Sequence, residues 1–171
     1  FSVQAGPFAA DPMSIDEPGS NFREPLSTGA SAGLSGRTIA ISEDLDLVPV
    51  DPEVRQALRN AGRELEALGA RVEPACPDLS RAMQVFQVQR AASLAVTGRM
   101  LNLTVPNWRD HAKDTAIWNI EQGFALTAED LLEAETARTV IYRDVVKFFE
   151  RYDALLLPSA QVPPFSIDTD W

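Results

Sequence analysis

Cys76 and His111 are the only thiol and the only imidazole in the sequence. A cysteine nucleophile needs a base beside it. Nothing in the spacing brings His111 to Cys76, which sits between Pro74 and Pro77 just past a strand-like segment. A single cysteine forms no internal disulfide, so a reducing compartment fits. One His and one Cys are also too few for a protein-bound zinc, and no metal is expected. The carboxylate pairs Asp44/Asp46 and Asp168/Asp170 have a spacing common in acidic loops and show no third ligand, so they do not point to acid–base work. Ser27–Gly36 is rich in Gly and Ser but precedes a strand, whereas a phosphate cradle follows a strand and opens a helix. Asn102-Leu103-Thr104 is a glycosylation sequon, relevant only on a secretory route. The remaining constellation is Trp108, His111 and Trp118, aromatics with one titratable group around a helix break. Such a set suits the wall of a small-molecule pocket, and these three are the candidate substrate-binding residues.

The elements that must position these residues are legible from pattern. Residues 1–36 hold Pro7, Pro12, Pro18 and Pro25 and then the Ser27–Ser35 run, so an extended segment is expected there, mobile around Ser27–Ser35. Residues 37–171 read as one α/β domain. Arg37–Ser42 is a short β-branched strand. Asp51-Pro52-Glu53 opens a helix, with a capping carboxylate, a proline at the first helical position and an acid at the positive dipole end. Val54, Leu58, Ala61, Leu65 and Leu68 form its apolar stripe, and Gly69 ends it. Arg71–Glu73 is the second strand, so the unit is a βαβ crossover with parallel strands. A long helix spans Leu79–Leu101, with Gly98 a candidate early break. A short helix covers Thr115–Gln122, ended by Gly123. Thr127 and Asp130 make a capping box for a helix running to Arg151. Ala154–Leu157 is apolar throughout, as expected of a strand buried on both faces. The resulting fold is a small parallel sheet of three strands, with the Ile39 strand central, flanked by helices.

Composition narrows the function classes. The net charge of −10 disfavours nucleic acid and anionic membranes as partners. No apolar run approaches the ~20 residues that span a bilayer, and no secretory signal is seen at the start. The expectation is a cytoplasmic protein. The chain opens on Phe1-Ser2-Val3 without an initiator Met, which suggests a piece of something longer. On the residues alone, the reading is a non-catalytic α/β binding or interaction module.

The order of the segments resembles the amidase signature family. Ala5-Gly6-Pro7 with Asp11-Pro12 is similar to a stretch that follows that family's catalytic serines. Ser35–Ala40 is similar to its next strand, and Val50–Val54 with Leu65–Val72 to its helix and second strand. Trp118–Gly123 resembles a segment common in a bacterial subgroup. Phe148–Pro158, ending here in Leu155-Leu156-Leu157-Pro158, is similar to the family's aromatic-to-strand segment that closes on a proline, with Ser159 where Thr is frequent, and Val162–Phe165 continues it. The resemblance runs from Gly6 to Phe165.

It implies hydrolysis of carboxamide C–N bonds, or amide transfer in the transfer-RNA branch, by a Ser nucleophile, a second Ser in a cis peptide and a Lys base, with no cofactor. It also implies a larger mixed sheet of which this one is part. The Gly/Ser-rich signature that carries the serines lies upstream of Ala5-Gly6-Pro7 in the family. The only lysines, Lys113 and Lys147, fall in later helical segments. No residue here inherits a catalytic role, so the chain is expected to be inactive alone and part of an amidase acting on a small-molecule amide. A sheet cut from a larger one has an open edge, so self-association is expected.

Overall fold

The computed structural model describes residues 6–8, 10–11, 14, 16–23 and 33–169. Three strands, β1 (Thr38–Ile41), β2 (Arg71–Pro74) and β3 (Ala154–Leu156), form one parallel sheet in the order β2-β1-β3. Four helices accompany them: α1 (Pro52–Ala67), α2 (Ala82–Thr104), α3 (Asp114–Ala125) and α4 (Ala128–Phe149). Ile39 stands opposite Val72 on one side and Ala154 on the other, so the β-branched strand is central as expected. Ala40 is fully buried. Half of the 1–36 segment lies outside the described residues, including Ser27–Ala32; within it Gly19–Phe22 form one 3-10 turn. No helix among the described residues is long and apolar enough to cross a membrane.

Local chemistry builds α1 as its sequence suggests. The Asp51 carboxylate accepts from Glu53 N at 2.8 Å, Pro52 fills the first position, and Gly69 takes φ +98° just past the end. The turn at residues 33–36 docks against that end, with Leu34 N donating to Leu68 O at 2.8 Å. Leu58 is buried on the sheet side. Gly62 brings the helix backbone close to β1 and β2, since a Cβ there would lie 3.1 Å from Ile41 Cδ1. The Thr127–Asp130 capping box forms in both directions and starts α4: Thr127 N donates to Asp130 Oδ2 at 2.8 Å and Asp130 N to Thr127 Oγ1 at 3.1 Å.

Two expectations about glycine are overturned. Gly98 does not break α2, and Gly123 lies inside α3 rather than ending it. Both are there because α2 and α3 cross with their backbones almost touching. A Cβ on Gly123 would fall on the carbonyl oxygen of Ala91 and 2.7 Å from its carbonyl carbon; one on Gly98 would strike Ile120 Cγ2 and Phe124. The seam of α2 is therefore small residues, Ala91, Ala95 and Gly98, while Met83, Phe86 and Met100 point outward. α4 follows the same logic, burying Ala134 and Ala137. Small residues let helix axes approach, which maximises backbone contact.

A third correction concerns β3. Its apolar run is not buried on both faces: Ala154 is exposed, Leu155 and Leu156 are half-buried, and Leu157 is 40% exposed. The strand is an edge of the sheet, paired only with β1 among the described strands, so nothing described here covers its outer side.

The approach to β3 is tied down by polar groups. Tyr152 is buried, stacks on Phe148 with centroids 4.5 Å apart, and its hydroxyl donates to Glu73 at 3.3 Å; Arg151 reaches the same carboxylate at 2.7 Å. Asp153 sets the register. Its backbone N–H donates to Thr38 O, and its carboxylate accepts from Thr38 N at 2.8 Å and Arg37 Nη1 at 2.7 Å. The Thr38 N–H and then the Arg37 guanidinium hold the Asp153 carboxyl below its usual pKa. A depressed folded pKa contributes stability that is present above the unfolded value, about 4, and lost as pH falls through the folded value. Asp153→Asn is therefore expected to melt lower than the unchanged chain near neutrality. The gap should close as pH drops below about 4; a gap that stays constant with pH in thermal melts would contradict this.

Candidate functional site

In open parallel sheets, ligand crevices form outside the carboxyl ends of the strands, where neighbouring connections diverge. Here β1 sends its chain toward β2 through α1, while β3 lies on its other side, so the divergence falls at the carboxyl end of β1. Ser42 follows β1 directly. It is 8% exposed; its N–H donates to Leu156 O at 3.0 Å and its Oγ accepts from Leu45 N at 2.9 Å. The loop then turns through Leu45 and Asp46, at φ 58° and 54°, an uncommon conformation for residues with a side chain. Asp44 Oδ1 caps that turn, accepting from Asp46 N at 3.0 Å. The segment after β3 is stitched to this loop by Asp51 N donating to Gln161 O at 2.8 Å and Gln161 Nε2 to Pro49 O at 3.0 Å.

Two recesses result. One, about 360 Å³, lies between the ends of β1 and β2 and is lined by Ser42, Glu43, Asp44, Asp46, Ala75 and Cys76 among others. The second, about 190 Å³, lies between the ends of β1 and β3 and includes Leu45, Val48, Pro158 and Ser159. The first is acidic, but Arg55 approaches Asp44 at 3.3 Å and Arg59 approaches Glu43 at 3.2 Å, so part of that charge is neutralised.

Chemically, the edge offers a hydroxyl, a thiol and carboxylates, with no histidine or lysine in the recess. Burial pushes the Cys76 thiol above its usual pKa; the hydrogen bond with Ser42 works against that, and Asp46, Asp44 and Asp78 add to it. A thiol held protonated is a poor nucleophile. Neither His111 nor either lysine lines the recess. Among the described residues no group of His, Cys, Asp and Glu could hold a metal ion. Pattern reasoning places Cys76 beyond a strand, but not its contact with Ser42, because the two belong to neighbouring strand ends. The divergence of the β1 and β3 connections is the signal that finds this edge.

The three sequence-derived pocket residues separate. Trp108 is 5% exposed, on a 3-10 turn (Trp108–His111); its Nε1 donates to Asn102 Oδ1 at 2.9 Å and Arg109 stacks 4.5 Å above its ring. It therefore clamps the exit of α2 and borders a recess of about 300 Å³ with Asn102, Val105 and Arg109. His111 is exposed at the end of that turn and lines none of the recesses described here. Trp118 is 55% exposed on α3 and lines a different groove, between α2 and α3. Asp44 and Asp46 meet in the β1 loop; Asp170 lies outside the described residues, so the Asp168 pair is not described.

A three-stranded parallel sheet with helices and its crevices at the carboxyl edge define an α/β fold of the kind that hosts ligands at strand ends. The Amidase family model matches residues 3–170, and the chain belongs to that family. It is 32% identical over 165 residues to an amidase of Pseudomonas putida, covering 95% of this chain and 34% of that protein. It is 28% identical over 190 residues to a glutamyl-tRNA(Gln) amidotransferase polypeptide of Myxococcus xanthus, covering 98% of this chain and 38% of that one. The chain thus spans about a third of the length of these relatives. Its fold matches a bacterial aryl acylamidase of the amidase signature family with TM-score 0.82, at 20% identity, over 96% of this chain and 34% of that chain.

Proposed function

We propose that the chain is a segment of an amide-hydrolysing enzyme, which it supplies with the β2-β1-β3 strands and the crevice at their carboxyl ends. The observation that carries this reading is the family match along nearly the whole chain. The reaction consumes a carboxamide and water and releases a carboxylic acid and an amine or ammonia. In this reading the serine nucleophile, the second serine and the lysine base come from sequence outside residues 1–171. The Ser42–Cys76 recess walls the site rather than reacting, since burial and acidic neighbours hold its thiol protonated. Family membership sets aside an α/β module unrelated to amidases. Self-association through the open edge at Leu155–Leu157 and the outward-facing Met83, Phe86 and Met100 of α2 belongs to the same reading.

The test is an assay of the purified chain with acetamide, acetanilide and glutamine, and of the same chain expressed with the sequence flanking it in its gene. The expected result is no turnover by the chain alone and amide hydrolysis by the longer product. Ammonia release from glutamine alone, with the simple amides untouched, would assign the amidotransferase branch instead. Turnover by the chain alone that disappears in Cys76→Ala would overturn the reading.

A further inference from the structure

One side chain grips both ends of the loop that separates the two recesses at the sheet's carboxyl edge. Arg55 stands in the first turn of α1 and lines neither recess. Its guanidinium meets the start of the loop at Asp44 Oδ2, 3.3 Å away, and at Glu43 Oε2, 3.9 Å away. Its Nε donates to the end of the loop, the Val50 carbonyl, at 3.0 Å. All three side chains are about two-thirds covered, so these contacts are less screened than an exposed surface pair. Between the gripped ends the chain passes through two successive left-handed residues, Leu45 and Asp46. Leucine rarely adopts that conformation and keeps it only where its surroundings fix it. The fixing groups are local: Ser42 Oγ accepts from Leu45 N, and Asp44 Oδ1 accepts from Asp46 N. The Asp44 carboxylate therefore serves twice, capping the turn with one oxygen and meeting Arg55 with the other.

We propose that Arg55 is a positioning residue that sets specificity without touching substrate, by holding the 43–50 loop in this left-handed turn. The turn places Leu45 in the wall of the recess between β1 and β3, and Asp46 in the wall of the recess between β1 and β2. The same grip extends past the loop. Val50 is buried, and its neighbours Pro49 and Asp51 carry the two hydrogen bonds to Gln161, in the segment that supplies Pro158 and Ser159 to the Leu45 recess. Releasing Arg55 thus frees both walls of that recess at once. Lysine cannot substitute, because one ammonium does not reach two carboxylates and a carbonyl as a planar fork does. Arg59 touches only the Glu43 end of the loop, at 3.2 Å, and is the natural control. That the recess receives the apolar part of an amide rests on the amidase reading above; that Arg55 holds the loop does not.

The test has two arms. In the first, hydrogen exchange of the chain is followed by mass spectrometry over peptides covering 43–50 and β1. Arg55→Ala should speed exchange in 43–50 about tenfold and leave β1 unchanged. Arg55→Lys should recover only part of that protection, and Arg59→Ala should lose little. Asp44→Asn, which keeps an oxygen to cap Asp46, gives the same direction of change should Arg55→Ala fail to fold. In the second arm, the longer gene product is assayed with acetanilide and with acetamide, which has no ring to reach the recess. Arg55→Ala should raise KM for acetanilide about tenfold with kcat little changed, and should leave acetamide nearly unaffected. Unchanged exchange over 43–50, or full rescue by lysine, overturns the positioning role. A fall in kcat at constant KM, or an equal effect on both amides, overturns its part in specificity. A longer product that hydrolyses neither amide defeats the amidase reading alone, since the exchange rates still decide whether Arg55 holds the loop.

Discussion

Gly123→Ala is expected to lower the melting temperature by roughly 5–10 °C, through about 2–3 kcal/mol of lost stability. Alanine is the better helix former by about 1 kcal/mol, so propensity alone predicts the opposite sign. The added methyl, however, would land on the Ala91 carbonyl and 2.9 Å from Ala95 Cβ. Those are a backbone group and a methyl rooted in the backbone of α2, so neither can swing aside as a long side chain would. The helices must separate, and the α2–α3 seam loses packing along Ala91, Ala95 and Ile120, all buried. Gly98→Ala should cost less, since it meets the side chains of Ile120 and Phe124. Thermal melts of both variants decide this; a Gly123→Ala chain that melts with the parent would show that the helices cross less closely.

Trp108→Ala is expected to be costlier still, at about 3–5 kcal/mol. The indole is 5% exposed and its N–H is taken up by Asn102, so truncation empties a buried site and leaves the Asn102 carbonyl with only Arg109, at 3.3 Å. Trp118→Ala, at a residue 55% exposed, should stay within about 1 kcal/mol. Urea titrations of the two variants separate a structural tryptophan from an accessible one. Equal losses would mean that Trp118 is also part of the core.

Much of the fold was legible because the relevant chemistry is local. Asp51-Pro52-Glu53 can satisfy the first helical N–H groups wherever the helix lies, and so can Thr127 with Asp130; both caps form. A strand, a helix and a strand with short connections leave almost no alternative to a right-handed parallel crossover, which is why Ile39 and Val72 come out paired. The apolar run at Ala154–Leu157 marked a third strand, and Ala154–Leu156 joins on the far side of β1 as expected.

The candidate site was less legible. Trp108, His111 and Trp118 lie within eleven positions of one another, yet a 3-10 turn and a new helix send them to a buried place beside one recess, to solvent and to a separate groove. Cys76 and Ser42, distant in sequence, share a recess because β1 and β2 end side by side. The sequence by itself determined where helices begin, which strands pair and in what sense, because capping and crossover geometry depend on neighbouring residues. Only the tertiary structure decided the roles of Gly98 and Gly123 and the half-open state of Leu155–Leu157. A glycine that ends a helix and one that admits another helix look alike in sequence, and an apolar strand reads the same at the centre or the edge of a sheet. In both cases the deciding quantity is the distance to atoms far along the chain, on which hydrogen-bonding pattern and apolar periodicity carry no information.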